Sequence, residues 1–191
     1  VDQVLGFTPL GDRRNELVFE TRSGPLSARR EGERYWLDMP APSASPEPAN
    51  DQVVSSVREA FGCAGGEVLS CSGDLLLVLD DQAAVRDLAP EPTAIEKLDG
   101  ELLIATAPGS GEFDVCSRVF APKVGIFEDP VTGAAHCVLT PYWSDRLGPS
   151  ELVCEQASSR GGTLICRWHP DRQRVELGGL CRTFSRGEFS I

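Results

Sequence analysis

The segment from Gly133 to Leu147 constrains this chain more than any other. Ala135, Val138, Leu139, Tyr142, Trp143 and Leu147 recur at three- and four-residue spacing, and Gly148-Pro149 ends the run. Apolar residues cover most of the circumference, so the spacing predicts a helix surrounded by protein rather than one laid on a surface. Pro141 falls inside it and is expected to kink it or weaken one backbone bond. A helix of that kind needs a wrapping, and the rest of the sequence supplies many short strands.

Residues 16–39 read as a meander of three strands around Leu17-Phe19, Leu26-Arg30 and Tyr35-Leu37. The proline-rich stretch Pro40–Pro48 follows and reads as a linker or a long surface loop. Asn50 is placed to cap an amphipathic helix over 51–61, with Val53, Val54, Val57 and Phe61 on one face. A hairpin is expected for 68–71 and 75–79 around Ser72-Gly73-Asp74, then a short helix over 81–88 and a strand over 101–105. Residues 113–120 alternate as a strand with two distinct faces. Further strands are expected at 151–156, 163–168, 174–177 and 181–185, with Gly161-Gly162, Pro170-Asp171 and Gly178-Gly179 as punctuation. The fold class expected is α+β: a mostly antiparallel sheet curled around a central helix, with part of a second, similar lobe at the start.

The 191 residues suffice for one ample core or two small lobes. A net charge of −11 disfavours a phosphate backbone, so no nucleic-acid partner is expected. No run approaches the ~20 apolar residues that cross a bilayer, so no membrane partner is expected either. The seven cysteines form no Cys-x-x-Cys pair, and His136 and His169 lie far from any paired thiols. Reduced thiols in a cytoplasmic protein, with no zinc site, are the expectation. The chain opens on valine, which is read as processing or a fragment.

The candidate chemistry sits where the central helix starts. Glu128-Asp129-Pro130 precedes Thr132-Gly133-Ala134-Ala135. Two readings of this start stay open. Asp129 can cap the helix with Pro130 at its first position, a structural role worth roughly 1 kcal/mol. Alternatively Thr132 is the cap, and the N–H groups of 133–135 remain open to a carboxylate, with the Asp129 carboxylate in the loop beside them. Glu128 is expected in solvent, His136 and Cys137 in the core, and Arg118 either on an anion or in an ion pair. No Ser-His-Asp order, phosphate loop or metal triad is present. The residues alone reach a small-anion site with proton transfer.

Ser117-Arg-Val-Phe-Ala-Pro122, Gly125-Ile-Phe-Glu-Asp-Pro-Val-Thr-Gly-Ala-Ala-His136 and Pro141-Tyr-Trp143 closely resemble the signature of the PhzF family of phenazine-biosynthesis-like proteins. Phe19-Glu-Thr-Arg-Ser-Gly24, Leu37-Asp-Met-Pro40 and Ser159-Arg-Gly-Gly162 resemble its flanking segments in the same order. The resemblance implies a diaminopimelate-epimerase-like fold of two lobes, each wrapping a sheet around a helix, the two helix starts facing one cleft. It implies an isomerase that shifts a proton on a small carboxylic acid without cofactor or metal, and it is compatible with a homodimer. By motif, Asp129 matches the cleft aspartate and is the candidate catalytic residue. Thr132, Gly133 and Ala134 match the substrate-binding helix start, with alanine at 134 where many members have serine.

The resemblance also implies what is missing. The family's acid/base glutamate lies in a Ser-Glu-Thr-type segment of the first lobe, and a second anion site in a Cys-Gly-His-type segment; neither occurs here, and Glu20-Thr21 follows Phe19 instead. By that comparison about 80–90 residues of lobe one are absent. The expected division is a first-lobe remnant over 1–39, the second lobe over 40–180 with its helix near 133–147, and a C-terminal strand over 181–191. A non-catalytic binding protein on the same fold is the alternative function. A two-thiol racemase is disfavoured, because 128–134 hold no cysteine.

Overall fold

The computed structural model describes residues 16–21 and 24–182. Eleven strands form one continuous path, with a twelfth attached at its side. The meander appears as β1 (Glu16–Thr21), β2 (Gly24–Glu31) and β3 (Arg34–Pro40), all antiparallel. The proline-rich stretch then runs irregularly until β4 (Glu47–Pro48). Helix α1 (Asp51–Phe61) starts where the capping reading puts it: the Asn50 side chain accepts from the Val53 amide at 3.0 Å, and Gly62 closes the helix in the left-handed region at φ 68°.

The hairpin is β5 (Glu67–Cys71) and β6 (Asp74–Val78), followed by α2 (Gln82–Arg86), α3 (Pro92–Ile95) and β7 (Leu103–Pro108). The sequence reading did not find α3, which is a single turn capped by the Glu91 carboxylate. Next come β8 (Val115–Ala121), a 3-10 turn, β9 (Ile126–Asp129), α4 (Gly133–Leu147), β10 (Glu151–Gln156), β11 (Gly162–His169) and β12 (Arg174–Leu180). The order across the sheet is β1-β2-β3-β12-β11-β10-β8-β7-β6-β5-β4, with β9 paired to β8.

Pairing is antiparallel except at two joins, β6 with β7 and β8 with β10. Parallel neighbours need a crossover, and here the two crossovers put helices on opposite faces of the sheet. The α2–α3 connection packs on the outer face with α1. The α4 connection lies inside the curl. Alternation along the strands sorts the side chains accordingly. Leu76, Ile104, Val115 and Val119 join the core around α4, while Leu75, Leu77, Leu103, Ala105, Cys116 and Phe120 join the core under α1–α3. Leu69, Leu152, Cys166 and Val175 complete the wrapping of α4, whose residues 135–140 and 142–144 are all buried. The expectation of an engulfed helix inside a curled sheet therefore holds.

Two boundary readings need correction. Gly178-Gly179 does not break a strand; both lie within β12, which pairs with β3 from Arg34 to Pro40. The glycine at 178 serves a close approach rather than a turn, since a Cβ there would lie 2.7–2.8 Å from three ring atoms of Trp36. In the strand expected at 181–185, Cys181 and Arg182 are irregular, and the remainder lies outside the described residues.

Candidate active site

The Glu128-Asp129 pair does not sit in a free loop. It ends β9, a short strand whose register against β8 pairs Val119 with Asp129 across a bulge. Alternation then separates the two carboxylates. Glu128, expected in solvent, is held by both forks of the Arg118 guanidinium, at 2.8 and 3.1 Å. Arg118 also donates to the Leu88 carbonyl at 2.8 Å. The two side chains are only 12% and 20% exposed, so Arg118 is committed to this ion pair and is not a free anion receptor.

Asp129 turns towards the start of α4. Its carboxylate accepts a short hydrogen bond from the Thr132 hydroxyl. Thr132 occupies the N-cap position, yet its hydroxyl donates to Asp129 instead of accepting from a helix amide. Of the two readings of this start, the one with Thr132 as the cap holds, by backbone position alone; Asp129 caps no helix amide and ends β9 instead of lying in a loop. The amides of Gly133, Ala134 and Ala135 have no acceptor among the described residues, and the first closed turn is the His136 amide on the Thr132 carbonyl at 3.4 Å. Such open donors carry the positive end of the helix dipole. Gly133 is half-buried and Ala134 is exposed.

The segment 129–132 is clamped from β10 by a residue the sequence reading missed. Gln156 is fully buried at the end of that strand. Its amide donates to the Asp129 carbonyl at 2.6 Å and to the Thr132 hydroxyl at 3.1 Å, and its carbonyl accepts from the Thr132 amide at 2.8 Å. Ser158 adds a bond to the Pro130 carbonyl at 2.8 Å and itself accepts from the Gly161 amide at 3.1 Å. The only sequence sign of this role was a glutamine at the end of an otherwise apolar, alternating strand.

Gly162 allows Val131 to seat against β11, since a Cβ there would lie 2.2 Å from the Val131 Cγ2. His136 is buried as expected. Its Nδ1–H donates to the Thr132 carbonyl at 2.8 Å, and burial depresses its pKa, so it stays neutral. Its Nε2 is buried without a partner among the described residues. Cys137 fills core space, its thiol pushed up to about 12 by burial, and it is no nucleophile at neutral pH.

A cleft of about 650 Å³ opens beside this start. Gly133 and Val131 form part of its wall, Arg160 and Gly162 the next part, and Leu164, Leu177 and Leu180 an apolar flank. Of the four expected site residues, only Gly133 lines the cleft directly. Asp129 and Thr132 are bonded to each other just before it, and Ala134 faces solvent. No group of side chains able to hold a metal ion occurs among the described residues, and none of their helices is long and apolar enough to cross a membrane.

The fold is shared with a Pseudomonas aeruginosa structure described as a predicted epimerase. It superposes with a TM-score of 0.66 over 94% of this chain and 69% of that one, and at 20% identity the likeness concerns the fold alone. The family model for phenazine biosynthesis-like proteins, PhzC-PhzF, matches residues 3–187, and the chain belongs to that family. A P. aeruginosa protein named an uncharacterized isomerase is 43% identical over 95% of this chain and 67% of its own length. The crystal structure of a PhzF-family protein from Enterococcus faecalis has a TM-score of 0.83 and 36% identity over 95% of this chain and 67% of that one. The chain thus spans about two thirds of the length of these relatives.

Proposed function

We propose that this chain is the second lobe, with an edge of the first, of an isomerase that moves a proton on a small carboxylic acid without cofactor or metal. The observation that carries the reading is the row of unpartnered amides at the start of α4, next to the Asp129–Thr132 pair and at the wall of an open cleft. The naming of a 43% identical relative as an isomerase supports it.

In the reaction, the amides of Gly133 and Ala134 hold the substrate carboxylate. They also stabilise the negative charge that grows on it when a neighbouring carbon loses its proton. Fixed backbone dipoles suit this task because they need no rearrangement as charge develops. Asp129, oriented by the Thr132 hydroxyl and the Gln156 clamp, holds the polar end of the substrate. The base that removes and returns the proton comes from residues beyond this chain, in the remainder of the length its relatives have. Residues 1–39, 40–180 and 181–191 are then the first-lobe edge, the second lobe and a return towards the first.

A second reading, a non-catalytic binding protein, has one observation in its favour: among the described residues no carboxylate lines the cleft. The two readings part in deuterium oxide. The full-length protein is incubated with cyclic carboxylic acids and product deuterium is read by mass spectrometry. Wash-in that falls at least a hundredfold in Asp129→Ala supports the isomerase. Binding without wash-in supports the alternative, and wash-in unaffected by the substitution removes Asp129 from the mechanism.

A further inference from the structure

Every polar group of Thr132 is engaged by a side chain. Its amide donates to the Gln156 side-chain carbonyl at 2.8 Å. Its hydroxyl donates to Asp129 and accepts from the Gln156 side-chain amide at 3.1 Å. Its carbonyl meets the His136 Nδ1 at 2.8 Å. Asp129 and Gln156 thus hold the segment before the helix, whereas His136 holds the peptide that joins Thr132 to Gly133. A carbonyl oxygen has no proton to give, so Nδ1 is the protonated nitrogen of the ring. Burial keeps the imidazole neutral, and Nε2, buried and without a partner among the described residues, is left as a bare acceptor.

The fold fixes where the ring stands. His136 is fully buried, and its own carbonyl accepts from the Thr140 hydroxyl at 2.5 Å. Further along α4 the Trp143 indole donates to the Thr106 hydroxyl of β7 at 3.0 Å, which sets the roll of the helix against the sheet. Of the two donors on the Thr132 carbonyl, the imidazole is the nearer; the His136 amide lies at 3.4 Å, long for a helical bond. The C=O and N–H of a trans peptide point opposite ways. A carbonyl pinned towards the helix body therefore aims the Gly133 N–H out of the helix start. The pin has something to resist. A Cβ at 133 would lie 3.3 Å from the Leu177 Cδ1, which favours glycine, and glycine gives the adjoining peptide its widest freedom to rotate. A rotated peptide would present an oxygen to an incoming acid instead of a donor.

We propose that His136 is a positioning residue: its Nδ1–H fixes the Thr132–Gly133 peptide, so that the Gly133 N–H points out of α4 as the first donor to the substrate carboxylate. The last clause rests on the reading that the start of α4 holds that acid; the fixing of the peptide does not. His136 touches no substrate and moves no proton. The role requires a donor at the place of Nδ1 and not the bulk of the ring.

Asparagine and glutamine separate the donor from the bulk. In His136→Asn the amide nitrogen falls near the place of Nδ1; in His136→Gln it falls near that of Nε2. Glutamine is the closer to histidine in size, so a packing role favours His136→Gln, whereas a positioning role favours His136→Asn. The 191-residue chain is isotope-labelled for NMR, and urea midpoints are recorded for both variants. In the parent, without ligand, the imidazole is expected to be neutral with its proton on Nδ1, a readout that needs no variant to fold. The Thr132 carbonyl-carbon shift and the Gly133 N–H residual dipolar coupling should match the parent in His136→Asn and depart from it in His136→Gln. Sodium benzoate is then titrated and followed at the Gly133 and Ala134 amides. His136→Asn should bind within threefold of the parent, and His136→Gln at least tenfold more weakly. A parent proton on Nε2 overturns the proposal, as does a His136→Gln variant that keeps the parent's Gly133 coupling or follows the parent more closely than His136→Asn does. Parent amides that ignore benzoate, with the coupling pattern as expected, remove the acid-binding reading and leave the fixed peptide standing.

Discussion

Replacing Gln156 by leucine tests whether the head of α4 is held by the clamp described above. The side chain is fully buried and makes three hydrogen bonds, at 2.6, 2.8 and 3.1 Å, to two residues of one short segment. Leucine has similar volume, so packing changes little. Each bond is worth about 1 kcal/mol net, and the Thr132 amide and Asp129 carbonyl lose their partner in a partly dehydrated place, so the loss is about 2–4 kcal/mol. For a chain of this size that is a fall in Tm of roughly 4–16 °C. Urea unfolding followed by tryptophan fluorescence gives the global figure, and hydrogen exchange at the Thr132 amide gives the local one. Exchange there should quicken by at least tenfold beyond the global change. Gln156→Glu separates the two halves of the clamp. It can still accept from the Thr132 amide, but its carboxylate then faces the Asp129 carbonyl, and its deficit should be larger at pH 7 than at pH 4.5. A Gln156→Leu loss below about 1 kcal/mol with unchanged Thr132 exchange would refute the clamp and, with it, the argument that Asp129 is fixed in place.

Two further substitutions probe the frame around the site. Gly162→Ala drives a Cβ into Val131 and should cost about 1–3 kcal/mol, most of it recovered in Gly162→Ala/Val131→Ala, which a double-mutant cycle by urea unfolding measures. Asp74 lies at the hairpin turn, where burial pushes its pKa up to about 6 even though it accepts from the Leu102 amide. The folded state therefore binds the Asp74 proton more tightly than the unfolded chain does, so this contribution is greatest below about pH 4 and declines as pH rises to about 6. Asp74→Asn keeps the acceptor and removes the charge, so it should gain about 1–2 kcal/mol more at pH 7.5 than at pH 4.5, discounted for partial exposure. An equal effect at both pH values would show that the charge is not destabilising.

What the sequence carried was local and periodic. Asn50 and the 51–61 spacing give α1 because a cap and an apolar stripe are contiguous in the chain. The all-round apolar run 133–147 gives α4 for the same reason. What it did not carry depends on register. Gln156 reaches partners 24 and 27 residues away, and Arg118 reaches Glu128 only because β9 pairs back on β8. Gly178 looked like a turn because a glycine under an indole ring and a glycine in a loop are the same letter. At the site, the motif identified the residues that stand together, while the hydroxyl of Thr132 pointing at Asp129 rather than at an amide was a matter of coordinates.

The open donors at Gly133, Ala134 and Ala135 belong to the main chain. Ordinary point mutation cannot delete them; only proline removes such a group. The acid recognition proposed for this place is thus insulated from genetic drift, whereas the residues around the mouth, Arg160 and Leu180 among them, can vary without disturbing the interior. A scaffold so divided changes its preferred molecule by altering its rim, and engineering for new acids should begin there and leave the helix head untouched.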